Sequence, residues 1–143
     1  FSFECGTCLI SVPGNYYFFS ESSEYFIFTP VDDKDIKITY EINNYENDWD
    51  ITDEDIYEDI KQSIHNHQRD TYETEAPIEA FENNNLKGYC STYSDDEEDV
   101  YEAGMLLGNS IALTVTIYDQ THSIEEIKNS TEFKALFNGI KKI

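Results

Sequence analysis

Between residues 36 and 118 the hydrophobic period changes twice, and this change restricts the fold more than any other feature of the chain. Ile36, Ile38, Tyr40 and Ile42 alternate with Lys37, Thr39 and Glu41, the period of a half-buried strand. Ile56, Ile60 and Ile64 then recur at a spacing of four, which places them on one stripe of a helix. Ile111, Leu113, Val115 and Ile117 return to alternation, now against Ala112, Thr114, Thr116 and Tyr118. That last segment reads as a central strand.

Shorter signals fill in the rest. Leu9–Val12 reads as a strand, followed by the turn residues Pro13-Gly14-Asn15 and by Tyr16–Phe19. Tyr25–Phe28 is apolar on both faces and closes at Pro30, before the solvated turn Asp32–Asp35. Thr52 starts the helix with Asp55 three residues on, a capping-box pair, and Asp53, Glu54 and Asp55 suit its positive end. Arg69 suits the other end. Residues 70 to 85, with Pro77 and Asn83-Asn84-Asn85, read as an irregular crossing segment. Strands are expected over Leu86–Tyr93, Val100–Leu107 and Ser110–Tyr118, with Gly108-Asn109 as a two-residue hairpin and the acids from Ser94 to Asp99 as a solvated turn. Ser123 and Glu126 form a second capping box. Ser130 starts a last helix carrying Phe133, Leu136, Phe137 and Ile140.

The order predicts an α+β fold, a mainly antiparallel sheet with helices packed on its faces, as a single domain over residues 1–143 without repeat or linker. The Leu-Ile-Ser-Val-Pro-Gly start, the Phe-Ile-Phe-Thr-Pro strand, the acidic-capped helix and the closing Glu-Phe-Lys-Ala-Leu-Phe-Asn-Gly-Ile-Lys resemble the PsbP-like α/β/α sandwich. Its bacterial relatives include DcrB-like lipoproteins and Eag-type chaperones of secreted effectors. The resemblance implies a binding or assembly module without a catalytic signature. The extreme acidity and the long polar crossing depart from it.

Charge decides which partners are compatible. The chain has 30 acidic and 9 basic residues, a formal charge of −21. Of these, 25 acids and 5 bases (Lys34, Lys37, Lys61, Arg69, Lys87) lie between residues 21 and 102, whereas residues 123 to 143 hold 3 acids and 4 bases. A regional negative field repels nucleic-acid phosphates and anionic lipid, and draws basic proteins at salt-sensitive rates. The bland reading of the same charge is solubility alone. The 11 Tyr and 9 Phe argue against disorder. No apolar stretch has the length of a membrane span, and no signal peptide is visible. The cytoplasm is the expected compartment, although Phe1 is not an initiator Met and leaves a removed leader open.

Chemical motifs are weak. Cys5-Gly6-Thr7-Cys8 has thioredoxin spacing, but a strand rather than a helix follows it, so the dipole that acidifies the thiol is missing. With Cys90, three cysteines do not make a disulfide framework. A zinc site would need ligands from His65, His67 or His122. His65 and His67 point to different sides of a helix and read as surface or cap residues. Asp48, Asp50, Asp53 and Asp55 lack the Gly bend of a calcium loop. Weak divalent binding to Asp95, Asp96, Glu97, Glu98 and Asp99 would be nonspecific. No nucleophile elbow, phosphate loop or dinucleotide fingerprint occurs. The expectation is a non-enzyme with neither cofactor nor metal.

Two functions follow. The first is an inhibitor or immunity-type protein whose acidic face covers a basic partner such as a toxin, with exposed aromatics as anchors. The candidates are Trp49, Tyr45, Tyr57 and Tyr72, surrounded by Asp48, Asp50, Glu54 and Glu58. The competing reading of Trp49 is a ring folded over the helix as part of the core. The second is a chaperone or envelope assembly module that binds apolar helices in a groove on the sheet.

Overall fold

The computed structural model describes all residues, 1–143. The main sheet is built around two of the alternating segments. β5 (Ile36–Asn44) and β9 (Ile111–Asp119) pair antiparallel, with Ile38 opposite Ile117, Tyr40 opposite Val115 and Ile42 opposite Leu113. On one side, β4 (Tyr25–Pro30) and the edge strand β3 (Tyr16–Ser22) extend the sheet. On the other lie β8 (Asp99–Gly108), β7 (Leu86–Ser94) and the second edge strand β6 (Glu79–Asn83). The resulting order is β3-β4-β5-β9-β8-β7-β6, antiparallel throughout. This is the α+β architecture that the order of elements predicts.

The two faces of this sheet are covered differently. On one face packs α1 (Asp53–Tyr72). Thr52 Oγ1 accepts from Asp55 N–H at 3.2 Å while Asp55 Oδ2 accepts from Thr52 N–H at 3.0 Å, so the expected capping box forms. Ile56, Ile60 and Ile64 are buried, meeting Leu106 and Ala112 of the sheet. Each such side chain contributes about 1.5–3 kcal/mol on burial. The helix runs beyond Arg69 and ends only at Tyr72, where Glu73 takes a left-handed conformation.

The opposite face holds the larger core. A second, three-stranded sheet lies there, formed by β1 (Ser2–Cys5), β2 (Cys8–Ser11) and β10 (Ile140–Lys142) in the order β1-β2-β10. With it pack α2 (Ile124–Lys128) and α3 (Thr131–Asn138). Ile10, Phe28, Tyr40, Met105, Leu113, Leu136 and Ile140 join both sheets and α3 in one apolar cluster.

Three expectations are corrected. Residues 70 to 85 are not wholly irregular, because Glu79–Asn83 pairs with β7. The turn between them, Asn84-Asn85, has φ of 51° and 66°, and asparagine tolerates those left-handed angles, which a two-residue hairpin of this type needs. The β8–β9 turn is shifted by one residue: Asn109 and Ser110 occupy its left-handed positions, Gly108, at φ 95°, pairs with Ile111, and Leu107 is the extra residue of a bulge. Ile140 leaves the last helix, which stops at Asn138, and begins β10 instead, fully buried against β2.

Candidate functional site

The loop between β5 and α1 presents the most exposed large side chain in an acidic setting. Its backbone is held by short side-chain turns: Asn44 Oδ1 accepts from Glu46 N–H at 2.8 Å, and Asp48 Oδ1 from Asp50 N–H at 3.3 Å. Tyr45 is tied down, its N–H donating to the Ser110 carbonyl and its hydroxyl to Asp59 Oδ2 at 2.8 Å. Burial and that carboxylate together push the Tyr45 phenol up to about 12. Ile51 tucks against the helix stripe. Trp49, at 95% exposure, stands clear of the core. The alternative of an indole packed over the helix is therefore excluded.

Asp48, Asp50, Glu54 and Glu58 are all exposed in the same loop and first turns of α1. Tyr57 is half-buried beside the isoleucine stripe, and burial followed by Asp53 and Glu54 raises its phenol. With Glu54 it lines a shallow groove against Phe81, Lys87 and Tyr89. The fold thus gathers seven of the eight candidates at the start of α1. Tyr72 is not among them. Twenty residues of helix separate the two ends, roughly 30 Å at the α-helical rise. The Tyr72 hydroxyl donates to Glu98 Oε1 at 2.8 Å, and its ring meets Tyr93 edge-on at 5.0 Å.

A polar cluster inside the α1 face escaped the sequence reading. Glu102, 4% exposed, accepts at Oε1 from the Tyr93 hydroxyl at 2.6 Å and contacts His67 Nδ1 at 2.9 Å. His67 is thus an inward residue and not a surface cap. Burial and the Glu102 charge raise the Tyr93 phenol, as they do that of Tyr118. Only the neighbouring Gln68–Ser91 contact had a signal: three residues at spacing four lead to Gln68 on the same buried stripe, and a polar residue there needs partners.

The other motifs resolve simply. Cys5 and Cys8 face each other across the β1–β2 turn as buried free thiols. Burial, then Cys8, pushes the Cys5 thiol up to about 11, the opposite of an activated cysteine. At the end of β9, Asp119 is buried and accepts from the N–H groups of Thr121 and His122 at 2.8 and 3.0 Å. His122 Nδ1 lies 2.9 Å from Asp119 Oδ2.

Neither a family model nor a curated protein matches the sequence. Solved structures do. The solution structure of cyanobacterial PsbP (CyanoP) from Synechocystis sp. PCC 6803 superposes with a TM-score of 0.67 at 12% identity, over 96% of this chain and 87% of that one. The chain has a PsbP-like fold. A crystal structure from Bacteroides thetaiotaomicron VPI-5482 superposes with a TM-score of 0.53 at 11% identity, over 99% of this chain and 48% of that one. The chain spans about half the length of that second protein. At such identities the likeness is one of fold. On the PsbP-like frame, both the Trp49 loop and the Glu102 cluster belong to the α1 side of the sheet. No helix is long and apolar enough to cross a membrane.

Proposed function

We propose that the chain is a protein-binding module that captures a basic partner, as an inhibitor or immunity-type protein captures a toxin, and does no chemistry itself. The observation that carries this reading is Trp49, 95% exposed between Asp48 and Asp50 and beside the acidic first turn of α1. An indole held out in water gains most from a partner that desolvates it, and aromatic anchors of this kind carry a large share of interface energy. The surrounding carboxylates steer and select a positive partner. The test uses the chain as bait in lysate of its source cell at low and high salt, beside Trp49→Ala. A basic protein captured at low salt, weakened by salt and lost in the variant supports the reading. Capture unaffected by both changes overturns it.

A second reading, a chaperone or assembly module that takes an apolar segment, is favoured by a different observation. The edge strand β3 exposes Tyr17, Phe18 and Phe19 at 59%, 45% and 59%, and an open aromatic edge invites pairing with another chain. Binding of that kind ignores salt and is lost in Phe19→Lys.

A further inference from the structure

The two edges of the main sheet differ in how they meet solvent. β6 carries the exposed carboxylates of Glu79 and Glu82, charges that discourage a further strand from pairing there. β3 opens with Tyr16-Tyr17-Phe18-Phe19 and contains no Lys, Arg or Pro. Its one charged residue, Glu21, lies in the bulge between Ser20 and Ser22.

The alternation of an antiparallel ladder assigns the backbone groups of β3. Val31 N–H donates to the Asn15 carbonyl at 3.0 Å. Tyr17 and Phe19 follow in the same phase and bond across to β4, opposite Thr29 and Ile27. The N–H and C=O groups of Tyr16, Phe18 and Ser20 therefore point away from the sheet, and none of them bonds to another segment. Such a row of donors and acceptors matches the main chain of one more extended strand. It does not match a helix, whose own groups are bonded internally.

Side chains prepare both faces for that strand. Phe18 lies on the core face, its ring 4.6 Å from that of Phe1 and 5.3 Å from that of Phe28. Tyr17 and Phe19 project exposed from the other face, beyond the strands that α1 covers. An added strand would set alternate side chains against Phe18 and Phe1 on one face, and against Tyr17 and Phe19 on the other. Charge narrows the choice further. No Lys or Arg occurs before Lys34. Glu21 and Glu24 stand at one end of the β3–β4 hairpin, and Asp32 and Asp33 at the other. A second copy would bring the same acids and a formal charge of −21 against them, whereas a basic segment is attracted.

We propose that β3 takes an extended segment of a partner protein as an added strand of the main sheet, an alternating apolar stretch with Lys or Arg at its ends. This rests on the second reading above and specifies the form of its segment, a strand bonded through its main chain.

The test titrates a capped peptide, Lys-Tyr-Phe-Ile-Phe-Thr-Lys, into the whole isotopically labelled chain; it is the β4 sequence Tyr25–Thr29 set between lysines. Two further versions are N-methylated on alternate residues, each lacking the donors along one edge. The parent peptide is expected to bind. One methylation pattern weakens it about tenfold or more and the other leaves it near the parent, because only one edge of the peptide meets β3. Amide exchange slows at Tyr16, Phe18 and Ser20 and changes little at Tyr17 and Phe19, which already bond to β4. Equal affinity of the two methylated peptides, or protection gained elsewhere in the chain, overturns the proposal. So does a chain that ignores the peptide and pairs with a second copy. A helical peptide rich in Leu and Ala judges the second reading separately. If it binds, is lost in Phe19→Lys, and the extended peptide does not bind, that reading stands and strand addition falls. If neither peptide binds, both fall.

Discussion

Gln68 Nε2 donates to Ser91 Oγ at 2.6 Å, deep between α1 and β7. The same side chain accepts from Ala76 N–H at 3.1 Å, and Ser91 donates on to the Pro77 carbonyl at 2.7 Å. One glutamine thus fixes the helix end, the sheet and the segment that leads to β6. Gln68→Ala leaves buried donors and acceptors unpaired, and should destabilise by about 2–4 kcal/mol. Urea unfolding measures this, and a loss near zero would show the network to be dispensable.

Gly88 of β7, paired with Met105, lies diagonally across from Gly104 of β8, paired with Tyr89, and Gly104 sits under Ile60. A Cβ at Gly88 would meet the backbone oxygen of Gly104, which cannot move, while a Cβ at Gly104 would meet Ile60 Cγ2 at 2.5 Å. Gly104→Ala should cost about 1–3 kcal/mol, and Gly88→Ala more. Adding Ile60→Val to Gly104→Ala should recover part of the loss. Strict additivity of the two costs, measured by denaturation, would refute the contact.

The His122 imidazole is raised above its ordinary pKa, first by its hydrogen bond to Asp119 and then by the charges of Asp119, Asp33 and Glu126. A raised folded pKa means that the folded chain holds the proton more tightly than the unfolded chain. The resulting stabilisation is complete below the unfolded pKa and disappears as pH rises through the folded one. Wild type should therefore lose its advantage over His122→Gln between mildly acidic and mildly alkaline pH. A difference between the two midpoints that does not change with pH would contradict the pairing.

Cys5 at about 11 and Cys8, also raised by burial, should be inert to disulfide reagents at neutral pH in the folded chain. Rapid labelling is expected only in urea. Fast labelling of Cys5 or Cys8 in the native protein, read by mass spectrometry, would reopen a redox role.

Trp49 is the single tryptophan and is 95% exposed. Its emission maximum should barely move on unfolding, and soluble quenchers should reach it in the native state. A blue-shifted native spectrum would place the indole against another surface.

Much of this was legible in the chain. The isoleucine stripe and the Thr52–Asp55 cap located α1, and strict alternation located β5 and β9, because local periodicity records which face is buried. β6 was hidden because Glu79–Asn83 is a polar edge strand with little apolar pattern to show. Ile140 fitted the helical spacing, yet Gly139 closes α3 beneath it and β2 offers it a partner. Trp49 was ambiguous in sequence. The turns of Asn44 and Asp48, with Tyr45 tied to Asp59, decided that it faces water.

The sequence by itself determined the kinds of elements, their order, the cap of α1 and the regional negative charge, since each depends on neighbours within a few residues. Only the tertiary structure decided that Glu102 of β8 meets His67 of α1 and Tyr93 of β7. It also decided that the helix rests mainly on β7 and β8 and leaves a polar groove beside it, lined by Thr39, Glu41, Thr114 and Thr116. Those outcomes depend on strand order and on where α1 comes to rest, quantities set by packing between residues far apart in the chain and carried by no local pattern.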